Sequence, residues 1–207
     1  LSIYCNEVFN QIARDEKARD IRASFLLAGA MLGRFGKAVM PMPGGCSIGL
    51  RPVDLHLKGF TSLGAECNIE QGMVNIEAKE LKGNDVYLDF PSVGATENIM
   101  LAGVLAKGET TISNCAIEPE IVDLAKFLNS IGAKISGAGT DTIVIKGVNE
   151  LGGCCHRVIP DRIEAGTFMI AVAGAGGNVK IQDVIPEQLR PVISKLKEAD
   201  VEVKEDE

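Results

Sequence analysis

Three short helical segments made almost wholly of small and apolar residues recur along this chain: Ala23 to Ala30, Gly94 to Gly103 and Ala165 to Gly174. Their Ala-Gly pairs begin at 28, 102 and 173, roughly seventy residues apart. A second marker keeps the same step. Leu63-Gly64-Ala65, Ile131-Gly132-Ala133 and Ala199-Asp200-Val201 each close an amphipathic run. Two independent markers in phase mean three copies of one supersecondary unit, which excludes most other ways of folding a chain of 207 residues.

The middle copy defines the unit. Val86 to Phe90 has strand character, Val93 to Ala106 is helical, and Thr110 to Ser113 is a second strand. Glu118-Pro119-Glu120 starts a second helix with Ile121, Leu124, Ala125, Leu128 and Ile131 on one face. Lys134 to Ser136 and Thr142 to Ile145 then form a hairpin. The class is therefore α/β or α+β, built of βαβαββ units at about 1–85, 86–155 and 156–207 within a single domain. In the first unit the helices fall at roughly 22–34 and 52–64. In the third they fall at about 162–175 and 186–199, with strands at His156 to Ile159 and Val201 to Lys204 and the last strand of the hairpin missing.

The first helix of each unit carries almost no charge, and such helices are expected to be buried on all sides. Three of them packed together would bring their N-termini to one end, with Arg22, Ser92-Val93-Gly94 and Asp161-Arg162 at the mouths. Three positive dipole ends and two arginines would make an electropositive face on a protein whose net charge is −7. That acidic balance, with no basic cluster, argues against a nucleic-acid partner, while small anions remain suitable ligands.

No run of transmembrane length and no signal-peptide pattern is present, so a soluble, cytoplasmic protein with no membrane partner is expected. The six cysteines, at 5, 46, 67, 115, 154 and 155, lack metal-site spacing and read as reduced thiols. Cys5, Cys67 and Cys115 fall in strand patterns as small core residues. Cys154, Cys155 and His156 are expected at a strand edge, because adjacent cysteines are poor joint ligands for one ion. No metal or cofactor is expected.

The remaining thiol is placed differently. Pro43-Gly44-Gly45 precedes Cys46 and Arg51-Pro52 follows it, so Cys46 is expected on a glycine-rich loop that runs into a helix start. The free N–H groups of Val53, Asp54 and Leu55 beside the Arg51 guanidinium suit a phosphate-like anion and favour thiolate.

Together, Pro43 to Gly49, Arg51 to His56, Ser92 to Thr96, Glu118 to Asp123 and Pro160 to Glu164 resemble the UDP-N-acetylglucosamine 1-carboxyvinyltransferase family, from about Ile21 onward. The resemblance implies transfer of an enolpyruvyl group from phosphoenolpyruvate to the 3-hydroxyl of UDP-N-acetylglucosamine, the first committed step of peptidoglycan synthesis. It also implies an inside-out α/β barrel of three βαβαββ units, with a second domain of the same parent chain closing the cleft. Matched residue by residue, Cys46 is the implied proton donor and the site of fosfomycin alkylation. Arg22, Arg51, Pro52, Val53, Asp54 and Leu55 are implied substrate contacts, as are Phe90, Pro91, Ser92, Val93 and Gly94. Phe90 stands where some members carry lysine.

Each of these residues also has a plainer reading. Arg22 and Arg51 can be solvated surface charges. Asp54 and His56 can serve only the helix start, or His56 can support a neighbouring contact. Ser92 can be an N-cap, Glu118 part of a helix start, and Asp161-Arg162 a local ion pair. Two alternatives to the family reading stay open: a shikimate-pathway enolpyruvyl transferase, and a non-catalytic nucleotide-sugar-binding module.

Overall fold

A computed structural model describes residues 1–5, 18, 20–43 and 53–205. The chain divides into two compact units, Leu1–His156 and Arg157–Glu207. In the first, a 3-10 turn (Arg22–Leu26) runs into α1 (Leu27–Phe35), followed by β1 (Lys37–Pro41), α2 (Asp54–Ser62), β2 (Glu66–Glu70) and β3 (Met73–Glu77). Then come β4 (Asp85–Tyr87), α3 (Val93–Gly103), β5 (Glu109–Ser113), α4 (Pro119–Ser130), β6 (Lys134–Ser136) and β7 (Thr142–Lys146). The second unit holds α5 (Arg162–Ala175) and α6 (Pro186–Glu198).

The repeat is visible in strand order. One sheet runs β1-β3-β2 and the other β4-β5-β7-β6. In both, the strand after the small-residue helix is antiparallel to the last strand of the hairpin, which is antiparallel to its own partner. Alternation produces the core face: Ala38 and Met40 on β1 and Val74 and Ile76 on β3 are buried, as are Ile112 on β5 and Ile143 and Ile145 on β7. The second sheet adds β4, parallel to β5 and reached through α3. The expected counterpart at the start of the chain is not found at Leu1–Cys5, which forms no strand. That segment lies off the sheet, with the Cys5 carbonyl accepting from the Arg34 guanidinium at 2.8 Å.

The second marker acts as a helix stop in all three copies. Gly64, Gly132 and Asp200 have φ of +91°, +109° and +59°. The next N–H, of Ala65, Ala133 and Val201, bonds back to the carbonyl of Phe60, Leu128 and Leu196 at 3.0 Å in every case. This is the Schellman closure, which turns the chain out of a helix by one left-handed residue.

Helix α3 is the centre of the first unit, with Ala95, Thr96, Asn98, Ile99, Met100 and Ala102 all at 0 % exposure. Its neighbours approach through glycine. A Cβ on Gly29 of α1 would collide with the Asn98 carbonyl, and one on Gly59 of α2 would collide with Ile99. Helix α5 departs from the expected burial on all sides. Ala165 and Gly166 are buried, but Ile163, Phe168 and Ile170 are exposed. Within its unit α5 is covered along one stripe, where Ala165, Leu189 and Ile193 are buried and Met169, Ile181, Val184 and Val203 pack against them.

The strands expected at His156 to Ile159 and Val201 to Lys204 are absent among the described residues, since neither segment joins a strand ladder. The thiols also depart from expectation. Cys115 is buried just beyond β5 and Cys67 half-buried on β2, whereas Cys5, Cys154 and Cys155 are exposed outside any strand. His156 is held to α4 instead, with Nε2 3.2 Å from Asp123 Oδ1 and the ring edge-on to Phe127.

Candidate functional site

A cleft of about 480 Å³ opens in the first unit where the 3-10 turn, α2, the segment after β4 and the start of α3 converge. Arg22, Asp54, Leu55, His56, Phe90, Ser92 and Gly94 line it, together with Ala23, Phe25, Leu26 and Glu97. The starts of the first two small-residue helices thus share one cleft. Asp161 and Arg162 begin α5 in the second unit, where Asp161 Oδ1 accepts the N–H groups of Ile163 and Glu164 at 2.8 and 3.0 Å as its N-cap. Cys46, Arg51 and Pro52 lie outside the described residues.

The start of α3 is built from its own side chains. Ser92 Oγ caps it, accepting from the N–H of Ala95 at 3.4 Å. Thr96 Oγ1 donates to the Ser92 carbonyl at 2.8 Å and accepts the N–H of Ala116 at 3.1 Å, tying the first turn to the chain beyond β5. Phe90 and Pro91 sit exposed on the approach. Lys58 of α2 pairs with Asp89 at 2.8 Å and steadies that approach. Val53 is buried at the start of α2, without a side-chain cap, and Val93 is half-buried.

Four charged or ionisable groups, Arg22, Asp54, His56 and Glu97, set the field in the cleft. Arg22 brings a cation. His56 is buried and its imidazole is lowered to about 4, first by burial and then by Arg22, with Asp54 acting the other way. Glu97 is raised to about 7, by burial and then by the charge of Glu120. Glu118 N-caps α4 by position, and its Oε2 is buried with no hydrogen-bond partner among the described residues. Among those residues no cluster of three or more His, Cys, Asp or Glu side chains could hold a metal.

Glu97 and Asn98 were not singled out from sequence. The signal was there, since they are the only charged residue and the only side-chain amide in the run from Gly94 to Gly103, where Thr96 is the one other polar side chain. Asn98 is fully buried, and its amide joins α3 to His56, Gly29 and Phe25.

A family model described as EPSP synthase (3-phosphoshikimate 1-carboxyvinyltransferase) matches residues 3–207. The chain belongs to this family. Among curated members, it is 61 % identical over 191 residues to UDP-N-acetylglucosamine 1-carboxyvinyltransferase 1 of Caldanaerobacter subterraneus subsp. tengcongensis, covering 92 % of this chain and 46 % of that protein. It is 57 % identical over 205 residues to UDP-N-acetylglucosamine 1-carboxyvinyltransferase 2 of Carboxydothermus hydrogenoformans, covering 99 % and 49 %. The chain therefore spans about half the length of the curated relatives it matches.

Solved enolpyruvyl transferases share the fold. The enolpyruvyl transferase NikO from Streptomyces tendae superposes with a TM-score of 0.67 at 24 % identity, over 90 % of this chain and 45 % of that one. EPSP synthase from Acinetobacter baumannii gives 0.62 at 28 % identity, over 86 % and 41 %. The expected α/β enolpyruvyl-transferase fold is thus the one found. No described helix is long and apolar enough to cross a membrane.

Proposed function

We propose that this chain forms one wall of the active site of a UDP-N-acetylglucosamine 1-carboxyvinyltransferase, which moves the enolpyruvyl group of phosphoenolpyruvate onto the sugar 3-hydroxyl in peptidoglycan synthesis. The observation that carries the proposal is identity of 57 to 61 % to proteins of that name over nearly the whole chain. The identity to an EPSP synthase structure is 28 %, which favours the nucleotide-sugar substrate over the shikimate one.

The chemistry asks for a proton at the phosphoenolpyruvate methylene, removal of a proton from the sugar hydroxyl, and cationic hold on phosphate and carboxylate. Cys46 is assigned the first of these roles, its thiol proton going to the methylene carbon as the sugar oxygen bonds to the adjacent carbon. Loss of inorganic phosphate with return of a proton from the methyl group to the sulfur then restores the carbon–carbon double bond, now as a vinyl ether of the sugar, and the thiol. Arg22 and Arg51 are assigned to the anionic groups. Val53, Asp54 and Leu55 with Pro52 are assigned to the nucleotide, as are Phe90, Pro91, Ser92, Val93 and the α3 start at Gly94. The base for the sugar hydroxyl is assigned to a second domain of the parent protein.

Three measurements on the 207-residue protein test this. Titration calorimetry with UDP-N-acetylglucosamine should show binding that is lost on Arg22→Ala. Intact mass should show one fosfomycin adduct, abolished by Cys46→Ser, with the nucleotide sugar present. Phosphate release from phosphoenolpyruvate should be absent without the other domain. Binding of shikimate 3-phosphate in place of the nucleotide sugar would overturn the assignment. Binding without alkylation would favour a nucleotide-sugar-binding module.

A further inference from the structure

The side-chain amide of Asn98 sits where three elements meet. Its Oδ1 accepts the N–H of Gly29 on α1 at 2.8 Å, and its Nδ2 donates to the carbonyl of Phe25 in the 3-10 turn at 3.1 Å. A backbone N–H can only donate and a carbonyl can only accept, so these two bonds fix which way the amide faces without reference to any third group. The same Nδ2 lies 2.8 Å from Nδ1 of His56. Nδ1 is therefore met by an N–H and must be the bare, accepting nitrogen, which leaves the imidazole proton on Nε2.

The other edge of the ring lies against the start of α3. A Cβ placed on Gly94 would stand 3.1 Å from Cε1 and 3.5 Å from Nε2 of His56, and Gly94 and His56 line the same cleft. Phe25 meets the ring at a right angle with centroids 5.1 Å apart, which restrains its rotation. We propose that Asn98 is a positioning residue that holds His56 as an Nε2–H donor, neutral around pH 7, aimed at an oxygen acceptor of the ligand bound in this cleft. A phosphate, carboxylate or carbonyl oxygen meets that description.

An acid-base role for His56 conflicts with this geometry. Protonating Nδ1 would set N–H against N–H, and turning the amide to relieve it would break the bonds to both Gly29 and Phe25. The surrounding charges act in the same sense on balance. Burial and Arg22 hold the imidazole neutral, Asp54 on its own helix opposes them more weakly, and Glu97 lines the same cleft from α3. A donor that does not titrate through the neutral range holds an anion equally well across it.

The identity of the acceptor rests on the function proposed above, while the tautomer does not, and the experiment separates the two. The chain has two histidines, so long-range ¹H–¹⁵N spectra of the labelled protein resolve both rings. Wild type should give the Nε2–H pattern for His56 with no titration between about pH 5.5 and 8. An Nδ1–H pattern, or a midpoint near the ordinary imidazole value, would overturn the proposal.

Asn98→Asp replaces the donor facing Nδ1 with an acceptor. It should move the His56 proton to Nδ1 and raise its midpoint by about two pH units. An unchanged tautomer in that variant would also overturn the proposal, and Asn98→Ser serves if the aspartate variant does not fold. Adding UDP-N-acetylglucosamine should shift the Nε2 resonance. Binding with no shift would remove the donor role. No binding at all would count against the proposed function, with the tautomer experiments still deciding this inference.

Discussion

The backbone N–H of Gly29 and the side-chain oxygen of Asn98 are joined at 2.8 Å, a contact between two copies of the repeat across the α1–α3 seam. The approach is close because Gly29 has no Cβ: one added there would also lie 2.7 Å from Asn98 Oδ1. Neither the α3 backbone nor the clamped amide can retreat. Gly29→Ala is therefore expected to cost about 1–3 kcal/mol or more. Gly103→Ala places its Cβ 3.4 Å from the end of the Ile145 side chain, an ordinary contact, and is expected to fall within about 0.5 kcal/mol of wild type. Urea midpoints of the two variants compare them directly, and equal losses would refute the packing argument.

The helix stops make a second comparison possible. Gly64 and Gly132 occupy the left-handed residue without steric cost, while Asp200 does so at φ +59° with a Cβ to accommodate. Asp200→Gly should relieve that cost and gain about 0.5 kcal/mol after the extra freedom of glycine in the unfolded chain is subtracted. Gly132→Ala should lose about 1 kcal/mol. Thermal melts of both variants supply the test, and a loss of stability in Asp200→Gly would contradict it.

These stops explain why so much of the fold was legible. A residue pattern that ends a helix acts within one turn, so Leu63-Gly64-Ala65 and its two counterparts carry their meaning locally and keep the repeat in phase. The starts at Ser92, Pro119 and Asp161 are local in the same way. Burial is different, because it depends on what else is present. The apolar run around Phe168 matches that of α3 in composition, yet only α3 is enclosed by neighbouring helices and a sheet. Cys5 likewise follows the largely apolar Leu1-Ser2-Ile3-Tyr4 and is exposed in space.

The lining of the candidate cleft was legible where it coincides with helix starts, as at Arg22, Asp54 and Ser92. Glu97 and Asn98 lie inside a helix. Their importance comes from what faces them: Glu120 for the first, and His56, Gly29 and Phe25 for the second. Those partners are brought together only by folding, so a pattern of residue types along the chain does not announce them.

The neutral state of His56 has a cost in acid. Its folded value is lowered to about 4, so between the ordinary imidazole value and that point the unfolded chain binds a proton that the folded one refuses. Stability contributed at neutral pH is therefore lost as pH falls from about 6.5 to 4, by on the order of 3 kcal/mol at most. His56→Gln removes the titrating group and should flatten that part of the curve. Urea midpoints at intervals from about pH 7.5 to 4.5 measure the effect, and equal slopes for the two proteins would rule it out.

Glu97 works in the opposite direction and on ligand as well as on stability. Its folded value is raised to about 7, so the folded chain keeps a proton that the unfolded chain gives up above the ordinary carboxylate value. Stability from this group is present at low pH and declines as pH rises towards 7, after which it levels off. The same ionisation puts a negative charge into a cleft proposed to hold a diphosphate, whose own charge is constant over this range. Affinity for UDP-N-acetylglucosamine should fall about fivefold between about pH 6 and 8.5, the equivalent of about 1 kcal/mol of repulsion in a partly solvated site. Glu97→Gln keeps the shape and removes the charge, so its affinity should be flat and should equal that of wild type at the acid end. Calorimetric titrations of both proteins across that range decide the matter: parallel pH profiles would mean that the Glu97 proton has no part in holding the anion.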